Sequence, residues 1–190
     1  MDAIAARPRH RFTVADYYRM ADAGILGEDD RVELIEGEIV EMPPIGSPHA
    51  GTVDQLLDLF TRSAGSRATV RVQGPVRLSD LSEAVPDLML LRPRRDFYRR
   101  SHPGTADVVL LVEVADTSVA FDRTVKLRLY ARAGIREYWI VDLPEGVVEV
   151  HRSPAGDAYH DRQEFRPGDR VAPEALPDAL IGVAEILGTG

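Results

Sequence analysis

The sequence contains no cysteine. This absence excludes disulfide bonds, zinc sites built on thiolates and a cysteine nucleophile. No stretch approaches the roughly 20 apolar residues that span a bilayer, and the opening MDAIAARPRHRF lacks the apolar core of a signal peptide. The sequence therefore predicts a protein with no membrane partner, and we expect a cytoplasmic location.

The chain also lacks the motifs of several enzyme classes. It has no glycine-rich phosphate loop and no serine nucleophile elbow, and no internal repeat or low-complexity segment. Its 190 residues, 44% hydrophobic and 28% charged, suit one domain around one core. We therefore expect a flexible N-terminal tail over residues 1–11 and a single domain over residues 12–190.

The charge balance is acidic, with a formal net charge of −8, which argues against a protein that coats nucleic acid. The segment RPRRDFYRR differs from the rest because it combines two aromatic residues with five arginines: Arg92, Arg94, Arg95, Arg99 and Arg100. Such a segment is typical of a solvated loop, or of an arm that contacts phosphates and stacks on bases. Both interpretations stay open on the sequence.

Apolar periodicity predicts an α/β domain with a mixed sheet. We expect a helix that starts after Thr13 and ends at Gly24, and helices over 49–65 and 118–134. A β-hairpin is expected over 31–42, and further strands are expected over 68–79, 84–93, 106–115, 137–142, 146–152 and 158–165, followed by a short tail. The strands on either side of helix 118–134 should be parallel, with a right-handed crossover.

One carboxylate, Glu113, interrupts the apolar strand ADVVLLVEVA. Glutamate is seldom fully buried unless it is paired. Asp87 opens the preceding apolar strand, in PDLMLL, and Lys126 lies on the following helix. Two carboxylates on neighbouring strands can hold one Mg²⁺, and a lysine beside them can stabilise an anion or position water. Alternatively, Glu113 forms an ion pair with Arg123 or Lys126, and Asp87 is a turn residue.

The helix that carries Lys126 has a second pattern. Asp122, Lys126 and Tyr130 are spaced i, i+4 and i+8, so they share one helix face. The same spacing also fits an Asp–Lys surface pair beside a tyrosine. His49, which follows Gly-Ser-Pro at the start of another helix, fits a structural or solvated histidine better than a catalytic one.

Several blocks occur together in a characteristic order and spacing: VELIEGEIV, PDLMLL, LLVEV, and then D…K…Y…AG…EYWIVD. In these blocks the chain resembles the Uma2 family of endonucleases, over residues 12–155. That family is similar to the restriction-endonuclease-like, PD-(D/E)XK superfamily. The resemblance implies a restriction-endonuclease-like mixed β-sheet flanked by helices, with β-hairpin additions.

The resemblance also assigns residues. Asp87 and Glu113 match the metal-binding acids, and Glu33 matches the N-terminal acid that can complete the site. The superfamily lysine normally stands two residues after the glutamate, where this chain has Ala115. Lys126 resembles the migrated lysine of this family.

These matches imply a Mg²⁺- or Mn²⁺-dependent endonuclease that hydrolyses DNA phosphodiester bonds, with Asp87, Glu113 and Glu33 at the metal and Lys126 beside it. The arginine segment joins the two strands that carry Asp87 and Glu113, so we expect its arginines to contact phosphates that flank the site. A homodimer would suit cleavage of both strands. The chain departs from the family at residues 116–117, where Asp-Thr replaces the usual Ser-Pro.

Two other functions stay open. The first is a catalytically inert nuclease-fold module that binds nucleic acid or a protein partner, which the acidic net charge and the displaced lysine favour. The second is hydrolysis of a small phosphoester. A shared fold does not choose between them, because one fold can carry many functions.

Overall fold

The computed structural model describes residues 9–27 and 29–189. Its helices are α1 (Val14–Asp22), α2 (Ser47–Ala64), α3 (Val119–Phe121), α4 (Leu127–Arg132) and α5 (Val183–Ile186), with a π-helical stretch at Asp122–Lys126 and 3₁₀ turns at Gly65–Arg67 and Thr105–Asp107. Its strands are β1 (Val32–Ile35), β2 (Glu38–Glu41), β3 (Thr69–Val72), β4 (Val76–Ser79), β5 (Ser82–Ala84), β6 (Leu88–Leu91), β7 (Val108–Ala115), β8 (Glu137–Asp142), β9 (Val147–Ala155), β10 (Ala158–Phe165), β11 (Arg170–Val171) and β12 (Ile181–Gly182). Among these helices, none has both the length and the hydropathy needed to cross a bilayer.

A central sheet of six strands has the order β10-β9-β8-β7-β6-β3. Strands β7 and β8 are parallel, as predicted, and the helical segment 119–132 connects them. All other neighbouring pairs of strands in this sheet are antiparallel. Seven of the eight residues of β7 and all six of β8 are buried. Burial on both faces explains why these strands are continuous apolar runs rather than alternating ones.

A second sheet, of order β2-β1-β5-β4, covers one face of the central sheet together with α4. Helices α2 and α5 cover the opposite face. The predicted hairpin 31–42 is confirmed as β1 and β2. Its turn residues, Glu36 and Gly37, both have positive φ (49° and 82°), which is the backbone form that suits a two-residue hairpin turn.

Two of the predicted strands are wrong, because each of these segments contributes to two different strands in the structure. Segment 68–79 divides into β3, which is an edge of the central sheet, and β4, which is an edge of the second sheet. The chain crosses between the sheets at Gln73, which has φ 45°, followed by Gly74 and Pro75. Segment 84–93 likewise divides between β5 and β6, on either side of Pro86. Proline cannot donate to a strand ladder, so it marks both crossings.

Both ends of the described part of the chain, at Arg9 and in the C-terminal segment, contact the rest of the fold. Residues 1–8 of the predicted tail lie outside the described residues, whereas Arg9 forms an exposed ion pair with Glu38 at 3.1 Å. The C-terminal segment, expected as a short tail, contains the β11–β12 ribbon and α5. Val183 and Ile186 of α5 are fully buried in the core under α2. The C-terminal segment therefore contributes apolar side chains to the core and is not a tail.

Candidate functional site

The four residues predicted to be catalytic line one cavity of about 420 Å³. Glu33 comes from β1, Asp87 from the turn before β6, Glu113 from β7 and Lys126 from the π-helical stretch. All four side chains are buried. The structure therefore brings together residues that are up to 93 positions apart between Glu33 and Lys126.

Strand pairing places the two predicted metal ligands side by side. Leu88 of β6 pairs with Val112 of β7, so Asp87 lies next to Glu113 across the sheet. The Asp87 Oδ2 atom accepts a hydrogen bond from the Val114 backbone N–H at 2.9 Å and contacts His49 Nε2 at 3.0 Å. These two contacts fix the position of the Asp87 carboxylate.

Lys126 is the charged partner of the buried Glu113. The Lys126 Nζ atom lies 3.0 Å from Glu113 Oε1 and 3.2 Å from Glu33 Oε1. The Tyr130 hydroxyl donates to the same Glu113 Oε1 at 2.6 Å. Of the two ion-pair partners considered for Glu113, Lys126 is thus the correct one, while Arg123 pairs with Glu149 and Asp142 instead.

The charges in the cavity are unbalanced, and the pKa values follow from this. Burial raises the pKa of Glu113 well above its usual range, the Lys126 ammonium opposes this, and the carboxylates of Asp87 and Asp122 raise it further. For Lys126, burial lowers the pKa, but the carboxylates of Glu113, Glu33 and Asp122 outweigh burial and raise it. One ammonium therefore stays charged among several competing carboxylates.

Three further residues belong to this site. His49 is half-buried against Asp87, and that hydrogen bond is the main cause that raises the His49 pKa. Asp122 and Tyr130 are buried, so the predicted common face of Asp122, Lys126 and Tyr130 points inward, and the surface-pair alternative is wrong. Their i, i+4, i+8 spacing was the available signal, whereas nothing in the sequence linked His49 to Asp87.

The predicted arginine segment lies at the other end of the β6–β7 hairpin. Asp87 precedes β6 and Glu113 is near the end of β7, but the arginine segment follows β6 and precedes β7. Five residues of strand, at about 3.4 Å each, place it about 17 Å from the carboxylates. Because β6 and β7 are antiparallel, the connecting loop and the acids lie at opposite ends of the hairpin, and the contact of these arginines with phosphates that flank the site stays a prediction.

The side chains that line the cavity offer oxygen ligands for a divalent metal. No three His, Asp or Glu side chains within residues 9–27 and 29–189 converge as a ready metal-binding group. Asp87 and Glu113 offer two carboxylates at the cavity, and Mg²⁺ commonly takes one or two carboxylates and completes its shell with water. The Glu33 Oε2 atom is a buried acceptor with no partner among those residues. All these donors are oxygens, so the set fits a hard cation.

Comparison with known proteins gives a family and a fold. The family model described as "Uma2: Putative restriction endonuclease" matches residues 14–184. No curated protein matches the chain. Among solved structures, "a putative nuclease belonging to DUF820" from Anabaena variabilis ATCC 29413 is similar, with a TM-score of 0.74 and 15% identity over 94% of this chain and 98% of that one. This likeness confirms the predicted restriction-endonuclease-like α/β fold.

Proposed function

The chain belongs to the Uma2 family, and from this premise we propose that it is a Mg²⁺- or Mn²⁺-dependent endonuclease that hydrolyses DNA phosphodiester bonds. Family membership supports a nuclease-like function. The observation that carries the finer proposal is the meeting of Asp87, Glu113 and Lys126, from three separate segments, in one cavity. Convergent ionisable groups with shifted pKa values in a cleft are typical of functional sites.

Each residue has a role that its contacts suit. Asp87 and Glu113 would hold the metal, with Glu33 nearby. Lys126 would orient the attacking water or stabilise charge that develops on the phosphate. His49 would keep Asp87 oriented through the 3.0 Å contact. When bound, Mg²⁺ or Mn²⁺ supplies Lewis-acid polarisation of a phosphodiester and acidifies water.

The alternative is an inert nuclease-fold module, and one observation favours it. The Lys126 ammonium already lies within 3.2 Å of two acids, and Ala115 occupies the usual lysine position. An internal ammonium that pairs with both acids could take the place of a metal. Metal binding therefore separates the two proposals.

The test uses isosteric substitutions that remove one negative charge each. We expect Asp87→Asn and Glu113→Gln to lose Mn²⁺ binding in isothermal titration calorimetry and to lose cleavage of supercoiled plasmid. The matched control is Glu149→Gln. Glu149 is as buried as Glu113 and lies on the same sheet, but it does not line the cavity. The control should bind Mn²⁺ and cleave DNA like the parent.

Two results would count against the endonuclease. If the parent binds no Mn²⁺ at millimolar concentration, the inert module is favoured. If the parent binds Mn²⁺ and Asp87→Asn binds it equally well, the metal lies elsewhere. Circular dichroism of each variant shows whether a lost signal comes from unfolding.

A further inference from the structure

The loop after β6 contains an unusual turn. Phe97 and Tyr98 are consecutive residues with positive φ, 50° and 60°. The Arg99 backbone N–H donates to the Asp96 carbonyl at 3.0 Å and closes the turn. This backbone form normally takes glycine or asparagine, and bulky residues in it are outliers. Strain of this kind persists only where the surroundings fix it, and it is concentrated at functional sites.

The inner half of the turn is firmly held. Tyr98 is buried, and its hydroxyl donates to the Arg92 carbonyl at 2.6 Å. The Arg94 guanidinium lies 4.2 Å from the centre of the Tyr98 ring and forms a two-point ion pair with Asp96 at 2.7 Å. Because Tyr98 is fixed in this way, its neighbour Phe97 is held in an exposed position, and 61% of Phe97 is accessible to solvent.

Phe97 borders a groove of about 530 Å³ between the loop, the C-terminal half of α2 and the edge strand β3. Apolar groups of Leu57, Val70 and Pro93 contribute to its lining. An exposed aromatic ring beside an apolar groove can stack on a nucleic-acid base, since every base has an aromatic face.

The charge of this loop is opposite to that of the whole chain: Arg95 lines the groove, and Arg99 and Arg100 follow Tyr98 in the same loop. Arg95, Arg99 and Arg100 are exposed, and among residues 9–27 and 29–189 none of the three has an acidic partner within ion-pair distance. The one acid of the segment, Asp96, is already paired with Arg94. Three uncompensated guanidinium groups on a chain of net charge −8 form a local surface that complements phosphates.

We propose that this loop and groove form a second nucleic-acid site, which binds a single-stranded segment with an unpaired base stacked on Phe97 and phosphates on Arg95, Arg99 and Arg100. The site lies about 17 Å from the carboxylates by the length of the β6–β7 strands, and it shares no residue with the cavity. It goes beyond the proposed cleavage, and its binding requires no metal.

The test measures fluorescence anisotropy of a labelled oligonucleotide, single-stranded or as a duplex of equal length, with the full chain in EDTA. We expect the parent to bind the single strand more tightly than the duplex. Arg95→Glu with Arg99→Glu should weaken that binding at least tenfold. The slope of log affinity against log salt should fall by about 1.4, at about 0.7 for each lost phosphate contact.

Phe97→Ala tests the stacking separately. It removes an exposed ring without changing charge, and it should weaken single-strand binding at least fivefold, as for loss of a stacked base. Duplex binding by this variant should stay at the parental level. The charge-matched control is Arg128→Glu with Arg166→Glu, both exposed and near the opposite edge strand, β10. That control should change single-strand affinity by less than twofold.

Three outcomes would overturn the proposal. One is an equal loss in the Arg128/Arg166 control, which would mean that only net charge matters. Another is a duplex bound as tightly as the single strand and no effect of Phe97→Ala. The third is displacement of the oligonucleotide by poly-glutamate at the same charge concentration, which would indicate an acidic protein partner. Asp87→Asn should keep full single-strand affinity, so failure of the proposed cleavage would not affect this result.

Discussion

Two buried glutamates lie in one row across the central sheet and differ in almost everything else. Glu113 of β7 pairs with Ile140 of β8, which pairs with Glu149 of β9. Both carboxylates therefore project from the same face, about 10 Å apart at two strand spacings. Both are covered by the π-helical stretch, which places Lys126 on Glu113 and Arg123 on Glu149.

Three basic side chains contact the carboxylate of Glu149. Arg123 Nε donates to Glu149 Oε1 at 2.8 Å, Arg162 contacts the same oxygen at 3.0 Å, and His151 contacts Oε2 at 3.1 Å. Burial alone would raise the pKa of Glu149, but these partners outweigh burial and lower the pKa to about 2. This cluster is fully satisfied, as expected for a structural group.

Glu113 shares its one base with other acids. Lys126 also contacts Glu33, and the pKa of Glu113 is raised, first by burial and then by the neighbouring carboxylates. An unpartnered buried oxygen, Glu33 Oε2, lies beside it among the described residues. Both side chains are hidden from solvent, but Glu149 has three basic partners whereas Glu113 shares one, and the two pKa values shift in opposite directions.

The largest expected effect concerns the structural cluster. Arg123→Met removes the guanidinium that contacts both Glu149 and the buried Asp142. Removing one partner of a buried ion pair typically costs about 3–5 kcal/mol. Because Glu149 keeps Arg162 and His151 and only Asp142 loses its base, we expect the lower limit, about 3 kcal/mol, in the free energy of unfolding measured with urea. Arg128→Met, at an exposed position two residues after Lys126, should change it by about 0.5 kcal/mol or less. Equal losses in both variants would contradict the assignment of Glu149 as a structural centre.

The second-largest expected effect is a loss of stability in acid, through Glu149 of the structural cluster. The folded-state pKa of Glu149 is about 2, below the usual value of about 4.3 for an unfolded chain. Its contribution is therefore complete above about pH 4.3 and is lost as the pH falls towards 2. At about 1.4 kcal/mol per pKa unit this shift corresponds to about 3 kcal/mol at most, and solvent screening reduces the expected contribution to about 1–2 kcal/mol. Glu149→Gln should flatten this part of the stability curve, measured by urea unfolding between pH 5 and 2. A parental slope in Glu149→Gln would show that other groups cause the acid sensitivity.

The sequence predicted more of the candidate site than of the sheet arrangement. Glu113 was identifiable because a charge in an apolar strand needs a partner, and Asp87 because it precedes such a strand. The division of segment 68–79 between two sheets was missed, since apolar periodicity reports a strand but not the sheet it joins. Gly74 and Pro75 gave the only local signal of that crossing.

The contacts of His49 and the position of the arginine segment were beyond the sequence for a related reason. Asp87 and His49 are 38 residues apart, and they meet only because α2 begins beside the turn before β6. The arginine segment is close to both acids along the chain, but strand direction carries it to the far end of the hairpin. Both are tertiary relations, which local patterns do not contain.

The third prediction contrasts the two bases of the π-helical stretch. Lys126→Met keeps most of the packing of the side-chain stem and removes the charge. We expect it to retain Mn²⁺ and DNA binding while plasmid cleavage falls about 100-fold or more, as for loss of one preorganised electrostatic group. The folded fraction of Arg123→Met should cleave at the parental rate. Parental cleavage by Lys126→Met would show that Lys126 only neutralises buried acids.

The smallest expected effect comes from Tyr130. Its hydroxyl and the Lys126 ammonium both end on Glu113 Oε1, so together they hold that oxygen and leave Oε2 for the cavity. Tyr130→Phe removes one of the two donors without changing charge or ring packing against Tyr138. Groups that orient a metal ligand typically contribute about 10–100-fold to metal affinity. Because Lys126 still holds the same oxygen, we expect the lower limit, about tenfold weaker Mn²⁺ binding by calorimetry.

Tyr159→Phe is the matched control, since its hydroxyl donates to the Ile135 carbonyl away from the cavity. If the two variants bind Mn²⁺ with equal affinity, Glu113 does not need Tyr130 for its orientation.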